Sequence, residues 1–113
     1  MTLTELMFSF EGRIGRKAYW LAFAIFVAAQ IVAGLLDLMV SGGGNAILTI
    51  IVSLVVLFAS IAVSAKRWHD RDKSAWWILI AFVPVIGWLW AVIENGFLPG
   101  TPGPNRFGPE PLG

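Results

Sequence analysis

Three long apolar stretches constrain this chain more than any other feature. Residues 18–40 contain one charged residue, Asp37, and residues 46–65 and 75–93 contain none. At 1.5 Å per helical residue they would extend about 34, 30 and 28 Å, against a hydrocarbon core of about 30 Å. Each is long enough to cross a bilayer. Only 13% of the 113 residues are charged and 58% are hydrophobic. A soluble bundle needs helices with a polar face, and these stretches have none. The expected fold is an all-α membrane protein forming a single domain. It comprises three transmembrane helices, a short interfacial helix over residues 4–10, and an extended Pro/Gly-rich tail over residues 96–113.

The cations set the expected orientation. Seven of the eight Lys and Arg residues lie in two short segments: Arg13, Arg16 and Lys17, and then Lys66, Arg67, Arg71 and Lys73. Two crossings separate these segments, so they fall on one side, which the positive-inside rule makes cytoplasmic. Three crossings then place the N-terminus in the cytoplasm and the C-terminus in the periplasm. The first apolar run is about twice the length of a signal-peptide core, which fits an uncleaved signal-anchor. There is no cysteine. Disulfides, thiolate metal sites and palmitoylation are thereby excluded.

Leu3, Leu6, Met7 and Phe10 recur at helical spacing, which gives the short N-terminal helix a membrane-facing side. A frayed terminus is the other reading. Tyr19 and Trp20, after the first basic cluster, suit the membrane–water interface. That cluster can attract anionic lipid as well as orient the chain.

Within the first stretch Gln30, Gly34 and Asp37 share a helical face, and in the second so do Thr49, Ser53, Ser60 and Ser64. Antiparallel packing would bring Asp37 level with Thr49 and Gly34 level with Ser53. Small and hydroxyl residues allow close approach and interhelical hydrogen bonds, so the two stretches are expected to form a tight hairpin. The alternative is a polar path for a solute or proton. Asp37, within a turn of the outer end, is expected to reach water. The glycines after Ser41 make a flexible connector without a phosphate-loop Gly-Lys-Ser/Thr.

Residues 66–74, KRWHDRDKS, are the densest polar segment. Arg67 and Asp70 would share a face if the second helix ran on past the membrane. Asp72 or Ser74 would cap the third helix. His69 and Asp70 are adjacent and so point apart on a helix. One histidine without a second ligand does not make a metal site, and no nucleophile is placed by sequence. No metal, cofactor or nucleic-acid partner is expected.

The third stretch contains Pro84 and, a turn later, Gly87. One reading is a single kinked span, with Trp76 and Trp77 at one interface and Trp88 and Trp90 at the other. A hairpin turning at residues 84–87 would instead leave the tail cytoplasmic. The kinked span is the adopted expectation, because broken backbone in lipid must be shielded and a small chain offers little shielding. Five of the six prolines lie beyond residue 98. That segment is expected to be extended, either free or pinned by Arg106 and Phe107.

Three segments, FEGRIGRKAYW at 10–20, RWHDRDKSAWW at 67–77 and GTPGPNRFGP at 100–109, resemble in order and spacing the domain-of-unknown-function 805 family of small bacterial inner-membrane proteins. The resemblance implies a multi-helix bundle in the inner membrane, and no assigned reaction, cofactor or catalytic residue. Its recurring positions would fall at Gly12, Arg13, Arg16, Tyr19, Trp20, Arg67, His69, Asp70, Trp77, Gly100, Gly103, Asn105, Arg106 and Gly108. Three crossings would strand the tail motif across the membrane from the other two.

The function expected is non-enzymatic: a homo-oligomer, or an accessory subunit in transport. A second reading is a cytoplasmic-face protein or enzyme that grips anionic lipid headgroups through Arg13, Arg16 and the Arg67–Asp70 segment. The third is a regulator or assembly factor that binds another membrane protein through its tail.

Overall fold

A computed structural model describes residues 2–111. The last two residues of the expected tail lie outside the described residues. Four α-helices and one 3-10 segment follow in order: α1 (Leu3–Phe8), α2 (Arg16–Ser41), α3 (Ile47–Asp70), a 3-10 segment (Ala75–Phe82) and α4 (Ile86–Gly96). Two of them, α2 and α3, are long and apolar enough to cross a membrane.

Helix α1 covers Leu3–Phe8, one residue earlier at its start and two at its end than the expected 4–10. Thr2 is extended, and its hydroxyl oxygen accepts from the Glu5 N–H at 3.2 Å, while the same hydroxyl donates to the Glu5 carboxylate at 3.0 Å. Thr2 is thus the N-cap of α1, and the Glu5 carboxylate orients its hydroxyl. Leu6 and Met7 are buried, so α1 packs onto the ends of α2 and α3 rather than lying free.

α2 and α3 form the expected hairpin. α2 ends at Gly42, whose left-handed φ of 60° lets its N–H reach the Leu38 carbonyl at 2.8 Å. Such a conformation favours glycine. The main core lies at the opposite end of the hairpin, where Leu6, Met7, Ile14, Tyr19, Ala22, Phe26, Ala59 and Val63 pack together. Away from it the outward faces are apolar and exposed, as in Val27, Ile31, Leu54 and Leu57.

The polar stripes meet, with Asp37 level with Thr49 as expected and Gln30, in place of Gly34, opposite Ser53. Gln30 and Ser53 exchange hydrogen bonds at 3.1 and 3.2 Å. Gly34 is not at the contact, for a Cβ there would meet nothing within 4 Å. Asp37 is buried rather than water-facing. Its carboxylate accepts from the N–H groups of Leu48 and Thr49 and from the Thr49 hydroxyl, at 2.8–3.1 Å. A carboxylate from one helix thus caps the N-terminus of the next, where free N–H groups and the helix dipole favour negative charge. Ser60 turns to its own helix, donating to the Leu57 carbonyl at 2.8 Å. Ser64 is half-buried.

The third apolar stretch corrects the kinked-span expectation. It is a 3-10 segment, a turn over residues 83–85, and α4, and its two limbs pack against each other. Trp77 and Trp90 lie 6.1 Å apart between ring centroids, which two ends of one span could not. Three residues explain the break. Pro84 has no N–H to continue a helix. Val85 takes φ 64° and ψ −65°, with the Ile86 N–H reaching the Pro84 carbonyl at 2.7 Å. That is a γ-turn of the strained hand, an unusual conformation for a β-branched residue. A Cβ on Gly87 would overlap the Ile80 carbonyl, so only glycine lets the limbs approach this closely. The chain therefore returns to the end of α3 from which it left. Ser74 is the residue before the 3-10 segment, but its side chain makes no cap.

Candidate functional site

The apolar part of α3 stops at Ala65, and the helix continues through the polar residues 66–70. This extension is buried although it is charged: Lys66, Arg67 and Asp70 are each 3% exposed or less. Buried charges require partners. The partners come from the other two sequence motifs.

Arg13, in the loop before α2, donates through Nε to Asp70 Oδ1 at 3.0 Å. Its terminal nitrogens donate to tail carbonyls, NH2 to Thr101 at 2.5 Å and NH1 to Gly103 and Gly108 at 2.6 and 3.3 Å. Arg67 donates to the other Asp70 oxygen at 2.6 Å, to the Asn95 carbonyl at 2.6 Å and to the Leu98 carbonyl. One carboxylate is thus shared by two guanidiniums, and backbone carbonyls disperse the surplus positive charge. Arginine suits this, because its planar fork carries five donors. Gly100 closes the contact, since a Cβ there would overlap the Asp70 carboxylate. The Thr101 N–H also donates to the Asp70 carbonyl, at 2.7 Å.

His69 lies one residue away, on a different side of α3. Its Nδ1 is 3.0 Å from the Gly12 carbonyl. A carbonyl only accepts, so Nδ1 carries the proton. The imidazole stacks on Phe107, with centroids 4.0 Å apart and planes within 7°. Asn105 Nδ2 donates to the His69 carbonyl at 2.9 Å. Its Oδ1 accepts from the Phe107 N–H at 2.8 Å, within a tight turn where residues 105 and 108 exchange backbone bonds. Arg106 holds Asp72 through its side chain and carbonyl, at 3.1 and 2.8 Å.

Around this centre, Arg16 donates to the Phe97 carbonyl at 3.0 Å. Trp20 donates to the Gly96 carbonyl at 2.8 Å, and its ring lies tilted against Phe97 with centroids 5.7 Å apart. Tyr19 belongs to the core below. Trp77 packs between Trp68 and Trp90, with the Lys73 ammonium 4.6 Å from its ring centre.

The structure therefore gathers Gly12, Arg13, Arg16, Trp20, Arg67, His69, Asp70, Asn105 and Arg106 at one end of the molecule. The tail is not free, and it is not separated from the other two motifs. Phe107 pins the tail as one of the two expected alternatives had it, whereas the sequence assigns Lys66 and Glu94 no site role. Lys66 Nζ donates to the Glu5 and Leu6 carbonyls at 2.5 Å, closing the end of α1. Glu94 takes the Lys73 ammonium at 2.6 Å. Position was the available signal: Lys66 and Glu94 are the first charges after the second and third apolar stretches.

Burial governs the titration of this polar extension. It lowers the Lys66 ammonium to about 8, with Glu5 acting against the change. His69 is also lowered, by burial first; the Gly12 carbonyl opposes this and Arg106 adds to it. Burial raises the Asp70 carboxyl, and the Arg67 and Arg13 charges oppose that rise. A cleft of about 380 Å³ opens beside Asp70, with Arg16, Thr101 and Glu110 in its walls. Its chemistry is mixed, with a cation and a carboxylate both present.

Comparison with known proteins identifies the family. The family described as "Protein of unknown function (DUF805)" matches residues 7–109, which include all three motifs. The inner membrane protein YhaH of Escherichia coli K12 is 45% identical over 90% of this chain and 86% of its own length. The inner membrane protein YhaI of the same strain is 33% identical over 90% of this chain and 85% of its own. The uncharacterized protein YiiR is 32% identical over 97% and 90%. No solved structure matches. The chain belongs to the DUF805 family.

Proposed function

We propose that this chain is a non-enzymatic inner-membrane protein that crosses the bilayer twice, through α2 and α3. It holds its polar motifs and tail as one folded cap on the cytoplasmic face, and serves there as an accessory or assembly subunit for another membrane protein. The return of the third stretch to its starting end supports two crossings over three. The cations supply the side: all eight Lys and Arg residues lie in or beside the cap, and the positive-inside rule places such a cap in the cytoplasm.

Arg13 carries the reading. Its guanidinium is fully engaged by Asp70 and three tail carbonyls, and Arg67 is likewise engaged. Groups committed in this way build a rigid surface and are not free to grip a phosphate. Contact with anionic headgroups falls instead to Arg16 and Lys17, which are exposed. His69 holds its Nδ1 proton on a backbone carbonyl and stacks on a ring, an arrangement that positions the tail. The polar residues that a pore of several copies would need, Gln30, Asp37, Thr49 and Ser53, face one another inside the hairpin.

The test is partner recovery from native membranes after cross-linking. Deleting residues 100–113 and changing Arg13 to Ala should both remove the cross-linked partner, because both dismantle the cap. Undiminished recovery after the deletion contradicts the proposal. So does a phospholipid-dependent turnover that His69→Ala abolishes.

A further inference from the structure

Residues 75–93 carry no charge, and they expose Trp76, Leu79, Phe82, Val85, Ile86 and Leu89. Phe82, near the turn, is 80% exposed. Soluble surfaces rarely carry an apolar patch of this kind. The usual objection to placing a chain reversal in lipid is that it leaves backbone groups without partners.

This turn meets most of the objection by its construction. The Ile80 carbonyl accepts from the Val83 N–H at 3.0 Å, Val83 from Gly87 at 2.9 Å, Pro84 from Ile86 at 2.7 Å, and Val85 from Leu89 at 2.9 Å. The Ala81 carbonyl accepts from the Trp88 indole N–H at 2.8 Å, which satisfies a side-chain donor and a backbone acceptor together. Pro84 brings no N–H to the turn. Most backbone groups of the reversal are paired within it, all but the Phe82 carbonyl and the Val85 and Trp88 N–H groups, and it is coated with apolar side chains.

The other end of the hairpin has interfacial chemistry. Trp77 and Trp90 face each other there. The Lys73 ammonium lies over Trp77 and is held by Glu94. Aromatic rings with a cation beside them suit the headgroup level. The limbs also have the right length. Eight 3-10 residues span about 16 Å and the helical limb through residue 93 about 12 Å. Half of the hydrocarbon core is about 15 Å.

We propose that residues 75–93 form a re-entrant hairpin immersed in one leaflet, with the 83–85 turn near the bilayer midplane and Trp77 and Trp90 at the cytoplasmic interface. Its partner is the hydrocarbon of that leaflet. The proposal rests on the two-crossing reading above and adds a depth to it.

The absence of cysteine makes single-cysteine labelling direct. Phe82→Cys and Trp76→Cys, each carrying a small fluorophore, are placed in phosphatidylethanolamine/phosphatidylglycerol vesicles containing nitroxide lipids of graded depth. Leu89→Cys serves as a second deep site should Phe82→Cys fail to fold. The deep site should be quenched most by nitroxides at the acyl-chain ends, and Trp76→Cys by shallow ones. The deep site should resist membrane-impermeant maleimide from both sides, while Pro104→Cys and Lys17→Cys react from the same side. A deep site that reacts with maleimide, or is quenched mainly at headgroup depth, overturns the hairpin alone if Pro104 and Lys17 still share a side. If Pro104 and Lys17 react from opposite sides, the two-crossing reading falls and the hairpin with it.

Discussion

Arg13 and Asp70, 57 positions apart in the chain, meet at 3.0 Å in a buried ion pair that also ties down the tail. Each side chain is at most 4% exposed. Removing Arg13 leaves Asp70 its Arg67 partner but takes the donor from the Thr101 and Gly103 carbonyls, and a buried polar group left unpaired costs about 1–3 kcal/mol. Arg13→Ala should therefore lower thermal stability in mild detergent by about that amount. It should also speed tryptic cleavage after Arg106, as the tail loses its anchor. Unchanged cleavage would show that the tail is held by other contacts.

The Asp37 carboxylate should act as a cap between helices. Asp37→Ala removes three accepted hydrogen bonds at the start of α3, and loss of a helix cap costs about 0.5–2 kcal/mol. Ser60→Ala should be near neutral, because that hydroxyl bonds only its own helix. Unfolding of the two variants in the same detergent checks the contrast, and equal effects would deny the capping role.

Gly87→Ala should disrupt the hairpin turn. The added methyl would overlap the Ile80 carbonyl, a backbone atom that cannot swing aside. Overpacking costs about 1–3 kcal/mol where neighbours can shift, and here the loss should reach at least the top of that range. Gly34→Ala is the control, since its site is open. Comparable melting temperatures for the two variants would contradict the packing described.

His69 should make stability depend on pH. Its folded pKa lies below the ordinary 6.5, so the unfolded chain takes up a proton first as pH falls. Stability should be undiminished above that value and should decline as pH drops from 6.5 toward the folded pKa. His69→Gln should flatten this part of the profile. A wild-type profile between pH 7.5 and 5 with no difference from the variant would contradict the buried, neutral imidazole.

The long apolar runs made α2 and α3 legible in the sequence, since length and absence of charge are sufficient signals for a bilayer. The link from Asp37 to Thr49 followed from antiparallel register. Gly34 and Ser60 did not behave as their spacing suggested, because a face shared along one helix does not say which turns touch the partner. The third stretch was misread for a local reason. Pro84 was visible, but whether it kinks or reverses the chain depends on Gly87 meeting the Ile80 carbonyl, a contact between residues seven apart. Much of the cap was hidden as well. Arg13 and Arg67 bind backbone carbonyls of the tail, and carbonyls carry no sequence signature. The three-motif resemblance nonetheless named most of its members, and it conflicted with a tail stranded across the membrane.

The side of the membrane reached by the tail tests the account most directly. Reporters fused after residue 113 and, separately, within the Gly42–Gly44 connector would be read in intact cells. The account predicts a cytoplasmic signal at the end of the tail and a periplasmic signal at the connector. A periplasmic signal at both would mean that the third apolar stretch crosses the bilayer and that Arg13 and Asp70 do not hold the tail.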